Sequence, residues 1–254
     1  MTRRWLPQIR IGTSGWSYHS WRGPFFPPEV MVKHHLMYYA TQFDTAELNG
    51  VFYRTPSLDT VRTWRDTTSD DFIFAWKASQ FITHWKRLGP TSRNSLDLIN
   101  ERLRILGRKA GPVLFQLPPR FVRDDDRLKR FLPMLSKRWR YAFEFRHASW
   151  YDESIYEILR RYNASLCISD HHDAPAPWII TADFAYIRGH GPGGAYKGSY
   201  SDHTLRGWAR RALGWRNGGC PVFIYFDNDQ KSVAPMDGAR LVKIINASAT
   251  EARP

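Results

Sequence analysis

Eight short apolar segments alternate with amphipathic stretches along the whole chain, and this alternation is the strongest constraint on its fold. A crossover helix after each strand makes successive strands parallel, so the pattern predicts eight parallel strands with right-handed connections. A length of 254 residues suits one closed (β/α)8 barrel. An open doubly wound sheet is the alternative topology. Because no linker-like stretch or internal repeat interrupts the pattern, we predict a single TIM-barrel domain over residues 1–254.

The predicted strands are apolar runs that stop at a turn or at a helix cap. They cover residues 9–13, 45–49, 72–77, 113–117, 141–145, 165–169, 184–189 and 221–226. The predicted helices cover 29–43, 58–67 with Ser57 as cap, 94–111, a stretch after the aspartates at 124–126, 152–161, 202–216 and 237–247. The segment HHDAPAPWIITAD after the sixth strand is too rich in proline for a full helix. We therefore predict an irregular segment in place of much of that helix.

The chain carries a formal net charge of +13, which indicates an anionic partner such as nucleic acid, a membrane surface or a phosphorylated metabolite. Many of the basic residues fall in three predicted helices, where a solvated face explains them equally well. They are Arg102, Arg104, Arg108 and Lys109; Arg127, Lys129, Arg130, Lys137 and Arg138; and Arg206, Arg210, Arg211 and Arg216. Two interpretations stay open: a solvated surface, or nucleic-acid binding by the faces at 102–109 or 127–140.

The sequence shows no feature typical of a secreted or membrane-spanning chain. The opening MTRRWLPQIRIG has no apolar stretch between its arginines and the first strand, and charges interrupt every apolar run. Cys167 and Cys220 lie inside apolar runs, which predicts reduced, buried thiols rather than a disulfide or a catalytic centre. We therefore expect a cytoplasmic protein without membrane association, and the oligomeric state stays open.

Polar side chains gather at the predicted carboxyl ends of the strands, where barrels of this type bind their ligands. The predicted site residues are Trp16 and Tyr18 after strand one, Glu47 and Asn49, Lys77, Gln116, Glu144 and Arg146, Asp170, Arg188 and His190, and Asn228. The opposite ends of the same strands carry almost no such groups. This polarity predicts a polar pocket at the carboxyl-terminal face, which the aromatic residues Trp16, Tyr18, Trp21, Tyr53 and Trp150 could wall or simply close.

The segment FEFRHASW places two opposite charges at the end of the fifth strand. Glu144 and Arg146 are two residues apart, so a strand directs both side chains to the same face. An unpaired buried charge is costly, and this pair therefore needs partners or a ligand.

An anion site is the first interpretation of these residues. Lys77, Arg146 and Arg188 would converge on a phosphate or carboxylate, because arginine offers a fork of donors and lysine a point charge. Glu47 and Glu144 would then act as base and acid. The alternative is a structural network that plugs the barrel, with Glu144 paired to Arg146 or Arg188 and Glu47 to Lys77.

A metal site is the second interpretation. Glu47, Glu144 and Asp170 could bind a divalent ion together with one of the histidines at 171, 172 and 190. The interleaved cations argue against it, and the adjacent His171 and His172 should not both face one ion from a regular strand. The loop GHGPGG at 189–194 could approach a phosphate with its backbone amides, but it matches no complete phosphate-binding motif.

Six segments together resemble the motifs of one protein family. They are IRIGTSGWSYHSWRGPFFPP, FDTAELNGVFYRTPS, VLFQLPPRF, FEFRHASW, YIRGHG and YFDND. In their content and order they resemble the domain of unknown function 72 family, also called YecE-like, from residue 9 to about residue 241. The resemblance implies a TIM-type barrel and supplies no chemistry. Asp227 departs from it, since asparagine is the more usual residue there, and a carboxylate would alter the charge preference of a ligand.

These observations predict binding or acid/base chemistry, hydrolysis included, on a small anionic or phosphorylated ligand. No cofactor or metal is expected. Two alternatives remain: a non-catalytic nucleic-acid-associated module that uses the basic helices, and a metal-dependent barrel of the phosphodiesterase or isomerase kind.

Overall fold

The computed structural model describes residues 8–251 and shows eight parallel strands in one sheet. The strands are β1 Ile9–Thr13, β2 Thr45–Leu48, β3 Ile73–Lys77, β4 Ala110–Gln116, β5 Tyr141–Glu144, β6 Ala164–Ser169, β7 Ala185–Gly189 and β8 Val222–Phe226. Their order is β1-β8-β7-β6-β5-β4-β3-β2, so β1 and β2 face each other at the two ends of the sheet. The predicted TIM barrel is confirmed, and the doubly wound alternative is excluded.

The seam between β1 and β2 is closed by few backbone contacts. Ser14 and Glu47 form a parallel bridge, in which the amide of Gly15 donates to the carbonyl of Glu47 at 2.8 Å. The hydroxyl of Tyr39, from the helix His35–Gln42, accepts from the Thr13 amide at 2.9 Å and donates to the Thr45 carbonyl at 3.0 Å. At the level of Thr13 and Thr45 a phenol therefore bridges the two strands, which satisfies both polar groups.

Within residues 8–251, seven α-helices surround the strands. They are α1 His35–Gln42, α2 Leu58–Thr67, α3 Arg93–Leu106, α4 Asp125–Phe131, α5 Glu153–Arg161, α6 Asp202–Asn217 and α7 Val233–Glu251. Four of them begin at a side chain that accepts a backbone N–H of the first turn, as polar caps do. These caps are Ser57, Asp124, Asp152 and Ser201. Residues 170–184 contain no helix, as the prolines of this segment predict.

Several helix boundaries differ from the prediction. The third helix ends at Leu106 rather than near residue 111, and the last ends at Glu251 rather than at 247. The first helix begins at His35 rather than near residue 29, because a turn and a short 3-10 helix at Val32–His34 precede it. The last helix begins at Val233, four residues earlier than predicted. Pro235 falls in its first turn, where the missing N–H has no intrahelical partner to lose.

The barrel interior changes from apolar to charged along β3, β5 and β7. Side chains of Ala75, Ala142 and Tyr186 belong to a small apolar cluster inside the barrel. Because the side-chain period of a strand is two, the next residues on that face are Lys77, Glu144 and Arg188, one layer closer to the carboxyl ends. The alternation thus delivers charges to one end of the barrel.

Among the described residues, no helix has both the length and the apolar character that a membrane span requires.

Candidate functional site

Arg188 lies at the centre of the carboxyl-terminal end of the barrel and is fully buried. Its guanidinium meets Glu47 at 2.9 Å, Glu144 at 2.7 Å and Asp227 at 2.7 Å. Burial alone would lower the pKa of Arg188, but the three carboxylates raise it well above its ordinary value. We call Glu47, Glu144, Arg146, Arg188 and Asp227 the central charge cluster. All five are buried.

The two carboxylates predicted to move protons are both engaged by this arginine. Glu47 accepts two nitrogens of Arg188, and it also accepts the hydroxyls of Ser14 and Tyr186, each at 2.6 Å. Glu144 accepts Arg188 and, through its other oxygen, the Nε of Arg146. Burial would raise the pKa of Glu144, yet the two arginines hold it well below its usual range. Glu144 therefore stays ionised.

His190 lies between the cluster and a loop carboxylate. Its Nε2 lies 3.0 Å from Arg146 and 3.1 Å from Arg188, both of which can only donate. The ring proton is therefore assigned to Nδ1, which faces Asp170 at 3.3 Å. Asp170 also accepts the His190 amide at 2.6 Å and the hydroxyl of Tyr200. Asp170 thus orients His190 and the loop that follows it.

Lys77 is a buried cation whose surroundings differ from those of the arginines. Its side chain is 7% exposed, and its Nζ donates to the Asn49 Oδ1 at 3.1 Å and lies 4.6 Å from the centre of the Phe52 ring. No carboxylate of the described residues reaches it within ion-pairing distance. Burial lowers the pKa of Lys77 to about 8, and the positive charge of Arg188 acts in the same direction.

A groove of about 730 Å³ opens at the ends of β1 and β2. Its walls include Trp16, Tyr18, Asn49, Tyr53 and Trp64, which define the aromatic groove. Asn49 connects this groove to Lys77, because it lines the groove and accepts a hydrogen bond from the Lys77 ammonium group. Three of the five predicted aromatic walls therefore lie in the groove.

The other two aromatic residues belong to the core and correct the prediction. Trp21 and Trp150 are fully buried. Trp150 stacks on Phe145 with ring centres 4.7 Å apart and donates to the Phe121 carbonyl at 2.7 Å. Large apolar rings next to a site pack into the core as readily as they wall a pocket.

Two further predicted site residues lie apart from the central charge cluster in their contacts. Asn228 is buried and donates to the Gly198 carbonyl at 2.9 Å and to Asp237 at 2.8 Å, so it fastens the loop after β7 to helix α7. Gln116, half-buried at the end of β4, makes no side-chain hydrogen bond to any residue that the structure describes. Neither residue contacts Lys77 or Arg188.

Two residues near the site carried no signal in the sequence. His84 lies in a π-helical turn, Phe81–Trp85, directly after β3, and irregular turns of this kind are frequent at functional sites. Burial lowers the pKa of His84 to about 4, and the charges of Lys77 and Arg146 add to that effect. Tyr196, in the loop after β7, accepts Arg146 through its hydroxyl at 2.9 Å. Both sit in segments without strand or helix periodicity.

The predicted metal set does not assemble as ligands, because Glu47 and Glu144 bond to arginine. Within residues 8–251, the group whose ligand atoms come together is His171, His172 and Asp173, within 4.8 Å of one another. Neighbouring side chains of a strand would point to opposite faces. The two histidines lie instead in the irregular segment after β6, where both can approach the same point. His172 and Asp173 are exposed, and the group lies outside the cluster.

The thiols and the basic helices also differ in part from expectation. Both cysteines are free, and Cys167 is buried as predicted, whereas Cys220 is only half-buried. Burial raises the pKa of the Cys167 thiol well above its ordinary value, which makes it a poor nucleophile. Lys109, assigned above to a solvated helix face, is buried and bonded to carbonyl groups.

The family model described as "Protein of unknown function DUF72" matches residues 10–254. The chain belongs to the DUF72 family. The resemblance inferred from the six motifs is thereby confirmed, and no activity comes with the family name.

Relatives of this DUF72 chain are likewise named without a function. The UPF0759 protein YecE of Escherichia coli is 31% identical over 147 residues, 56% of this chain, and the chain spans about half the length of that relative. The UPF0759 protein YunF of Bacillus subtilis is 25% identical over 94% of this chain and 95% of its own.

Solved DUF72 structures agree with the fold. A family member from Thermotoga maritima superimposes with a TM-score of 0.85 at 24% identity, over 94% of this chain and 99% of its own. One from Enterococcus faecalis superimposes with a TM-score of 0.80 at 18% identity, over 94% and 96%. At these identities the likeness establishes the barrel and leaves the chemistry to the residues of the site.

Proposed function

We propose that this protein binds a small anionic molecule, carrying a carboxylate or a phosphate, at the carboxyl-terminal face of its barrel. The observation that supports it most strongly is the state of Lys77. This cation is buried, its one hydrogen bond within the described chain goes to the neutral amide of Asn49, and Asn49 lines the aromatic groove. Since an ammonium group has three N–H donors, two remain for a ligand.

Arg146 supplies the second part of the proposed anion site. Its three nitrogens donate to Glu144, Tyr196 and His190, which uses three of the five N–H groups of a guanidinium. The remaining two have no partner among the described residues. A planar pair of guanidinium donors suits a carboxylate or phosphate oxygen.

Arg188 takes a different role in this proposal from the one its sequence position indicates. All of its nitrogens donate to protein acceptors, and it is fully buried. An arginine without available donors cannot hold a ligand directly. It positions Glu47, Glu144 and Asp227 instead, and so fixes the floor of the site.

Proton transfer in the proposed chemistry falls to Lys77 rather than to Glu47 and Glu144. Glu144 is held ionised by two arginines, so it is a poor acid. The amine of Lys77, with a pKa of about 8, can both release and accept a proton near neutral pH. The two glutamates retain an electrostatic role.

We place this function in the cytoplasm, because both cysteines are unpaired thiols.

The test is thermal unfolding in the presence of inorganic phosphate, pyruvate, lactate and sugar phosphates. A ligand at a hundred times its dissociation constant adds about 2.7 kcal/mol to the free energy of unfolding, which shifts the melting temperature measurably. We expect a shift with at least one of these anions that disappears in Lys77→Met.

The matched control for this variant is Lys243→Met, since Lys243 is exposed on helix α7. The shift should survive in Lys243→Met. An equal shift in both variants would contradict the proposal, because the anion would then bind elsewhere. Binding of duplex or single-stranded DNA that weakens steeply with salt and ignores Lys77→Met would instead support the basic-helix alternative.

A further inference from the structure

Among the buried groups of the described chain, Lys77 combines three properties that a nucleophilic amine requires. Within the described residues it has no carboxylate partner, it lies against the Phe52 ring, and its hydrogen-bond partner Asn49 lines a groove large enough for a small metabolite. Lysines become nucleophiles when they are desolvated or placed near another cation, since both conditions disfavour the ammonium form. Here burial and the charge of Arg188 act together.

The groups that face Lys77 set how much of it is unprotonated. Burial and Arg188 lower its pKa to about 8, while Asp227, Glu47 and Glu144 oppose them. The three carboxylates therefore keep most of the Lys77 amine protonated at neutral pH. About a tenth of the amine is unprotonated at pH 7, which is roughly three hundredfold more than in an ordinary lysine.

We infer that Lys77 forms a covalent imine with a small aldehyde or ketone that carries a carboxylate or phosphate. This inference rests on the anion site proposed above and names the reactive part of the molecule bound there. The anionic group would meet the unpartnered donors of Arg146, and the carbonyl carbon would meet the Lys77 amine.

The step balances without an external oxidant or reductant. The unprotonated Nζ adds its lone pair to the carbonyl carbon, which forms a C–N bond and converts the carbonyl oxygen to a hydroxyl. The C–O bond then breaks, and the oxygen leaves as water with both protons of the amine. The imine nitrogen takes one proton from solvent, so the product is the cationic imine.

Asn49 has a defined part in this step. Its Oδ1 accepts Lys77 at 3.1 Å, and its amide nitrogen lies 3.4 Å from the Tyr18 hydroxyl at the wall of the groove. An acceptor on one side of the amine directs the nitrogen lone pair away from it. Asn49 is thus a positioning residue for the attack.

The experiment is reductive trapping with pyruvate. The intact chain is incubated with pyruvate and cyanoborohydride at pH 7, because cyanoborohydride reduces an imine to a stable secondary amine. Peptide mapping then compares Lys77 with the exposed Lys243 and with Lys109, which is equally buried, while the α-amine is followed separately. We expect Lys77 to be modified at least tenfold faster than Lys243, against the order that exposure alone dictates.

Two variants keep this result interpretable. Lys77→Arg retains a positive charge without the nucleophilic amine, and it should abolish the adduct while the protein still folds. Asn49→Leu removes the acceptor and should slow trapping at Lys77 while the labelling of Lys243 is unchanged. Labelling that follows exposure, with Lys243 first and Lys77 as slow as Lys109, would overturn the inference.

Lactate and acetaldehyde separate this inference from the proposed function. Lactate carries the carboxylate of pyruvate but no carbonyl at the second carbon, and acetaldehyde carries the carbonyl without a charge. If lactate shifts the melting temperature through Lys77 while pyruvate leaves no adduct, the anion site stands and the imine is refuted. If acetaldehyde and pyruvate trap Lys77 equally and no anion binds, the imine stands and the anion site is refuted.

Discussion

Lys77 and Lys109 are each 7% exposed, and they lie at opposite ends of the same barrel. Lys109 precedes β4, and its Nζ donates to the carbonyls of Arg65 and Thr68 and, at 3.4 Å, to the Thr68 hydroxyl. Lys77 ends β3, and its Nζ donates only to Asn49 within the described chain. The two lysines are therefore equally buried, but Lys109 makes more hydrogen bonds than Lys77.

This difference separates a lysine that stabilises the fold from one that is available for chemistry. Three oxygens surround Lys109 and use its donors, so it fastens helix α2 to the base of the barrel. Lys77 retains donors at the end where barrels of this type carry their active sites. Burial alone does not identify a functional group; burial without partners does.

Arg188 offers the largest test of this distinction, because it is a buried cation that is paired with three carboxylates. Arg188→Met should lower the free energy of unfolding by at least 3–5 kcal/mol, since it leaves Glu47, Glu144 and Asp227 buried without a counter-charge. Urea unfolding measures the loss. If the variant does not fold, Arg188→Lys, which keeps one charge and fewer donors, should still show a reduced midpoint. An unchanged midpoint in either variant would contradict the assigned role.

Lys77→Met should have the opposite sign at pH 7. A fall in pKa from 10.5 to about 8 means that folding carries a penalty of about 3 kcal/mol while the amine is protonated. Methionine has a similar length without the charge, so the variant should unfold at a higher urea concentration than the wild type. A less stable variant would show that Lys77 contributes to the fold as Lys109 does.

The same penalty should depend on pH in a defined window. Below pH 8 the lysine is charged in both the folded and the unfolded state, so the full penalty is present. Between pH 8 and 10.5 the unfolded chain binds more protons, and the wild type gains stability as pH rises. The difference between the wild type and Lys77→Met should therefore shrink between pH 7 and pH 10.

Lys109→Met should destabilise the protein by about 1–3 kcal/mol, because it leaves buried carbonyl oxygens of Arg65 and Thr68 without a donor. Thermal unfolding of the two lysine variants, prepared in parallel, gives the comparison directly. Shifts of the same sign in Lys77→Met and Lys109→Met would remove the distinction between the two ends of the barrel.

Tyr196→Phe should have the smallest effect on stability, about 1 kcal/mol or less, since it removes one half-buried hydrogen bond to Arg146. It also frees one more N–H of the guanidinium. We expect anion affinity, measured by titration calorimetry, to be kept or increased in this variant. A complete loss of anion binding would show that the tyrosine contacts the ligand itself.

Much of the fold follows from the sequence because strands and caps are local. Apolar runs mark seven strand positions to within one or two residues, and β4 begins three residues early because Ala110 and Gly111 are too small to signal a strand. Ser57 and Asp152 cap helices as predicted. The π-helical turn at Phe81–Trp85 could not be predicted, since no periodicity marks it.

The sequence predicts which charged residues lie together at the candidate site, but it does not predict which of them form ion pairs. The alternation of each strand selects Glu47, Lys77, Glu144 and Arg188, and the barrel brings them to one end. Which cation meets which carboxylate depends on distances across the barrel, which no local pattern contains. Arg188 takes partners from three other strand ends, and Lys77 is left without one.

The seam between β1 and β2 has a consequence for the motions of the site. A phenol from α1 replaces part of the backbone ladder there, and Gly12 allows the approach, because a Cβ would lie 2.1 Å from the Thr45 carbonyl. Ser14 and Glu47, which bond to each other at 2.6 Å, are the bridge that closes the same seam. We expect local unfolding of the barrel to cost the least free energy at the β1–β2 interface, which has the fewest backbone hydrogen bonds. Local unfolding there would separate Glu47 from its hydroxyl donor while the other seven interfaces stay paired, so amide protons at β1 and β2 would exchange with solvent before those of the remaining sheet.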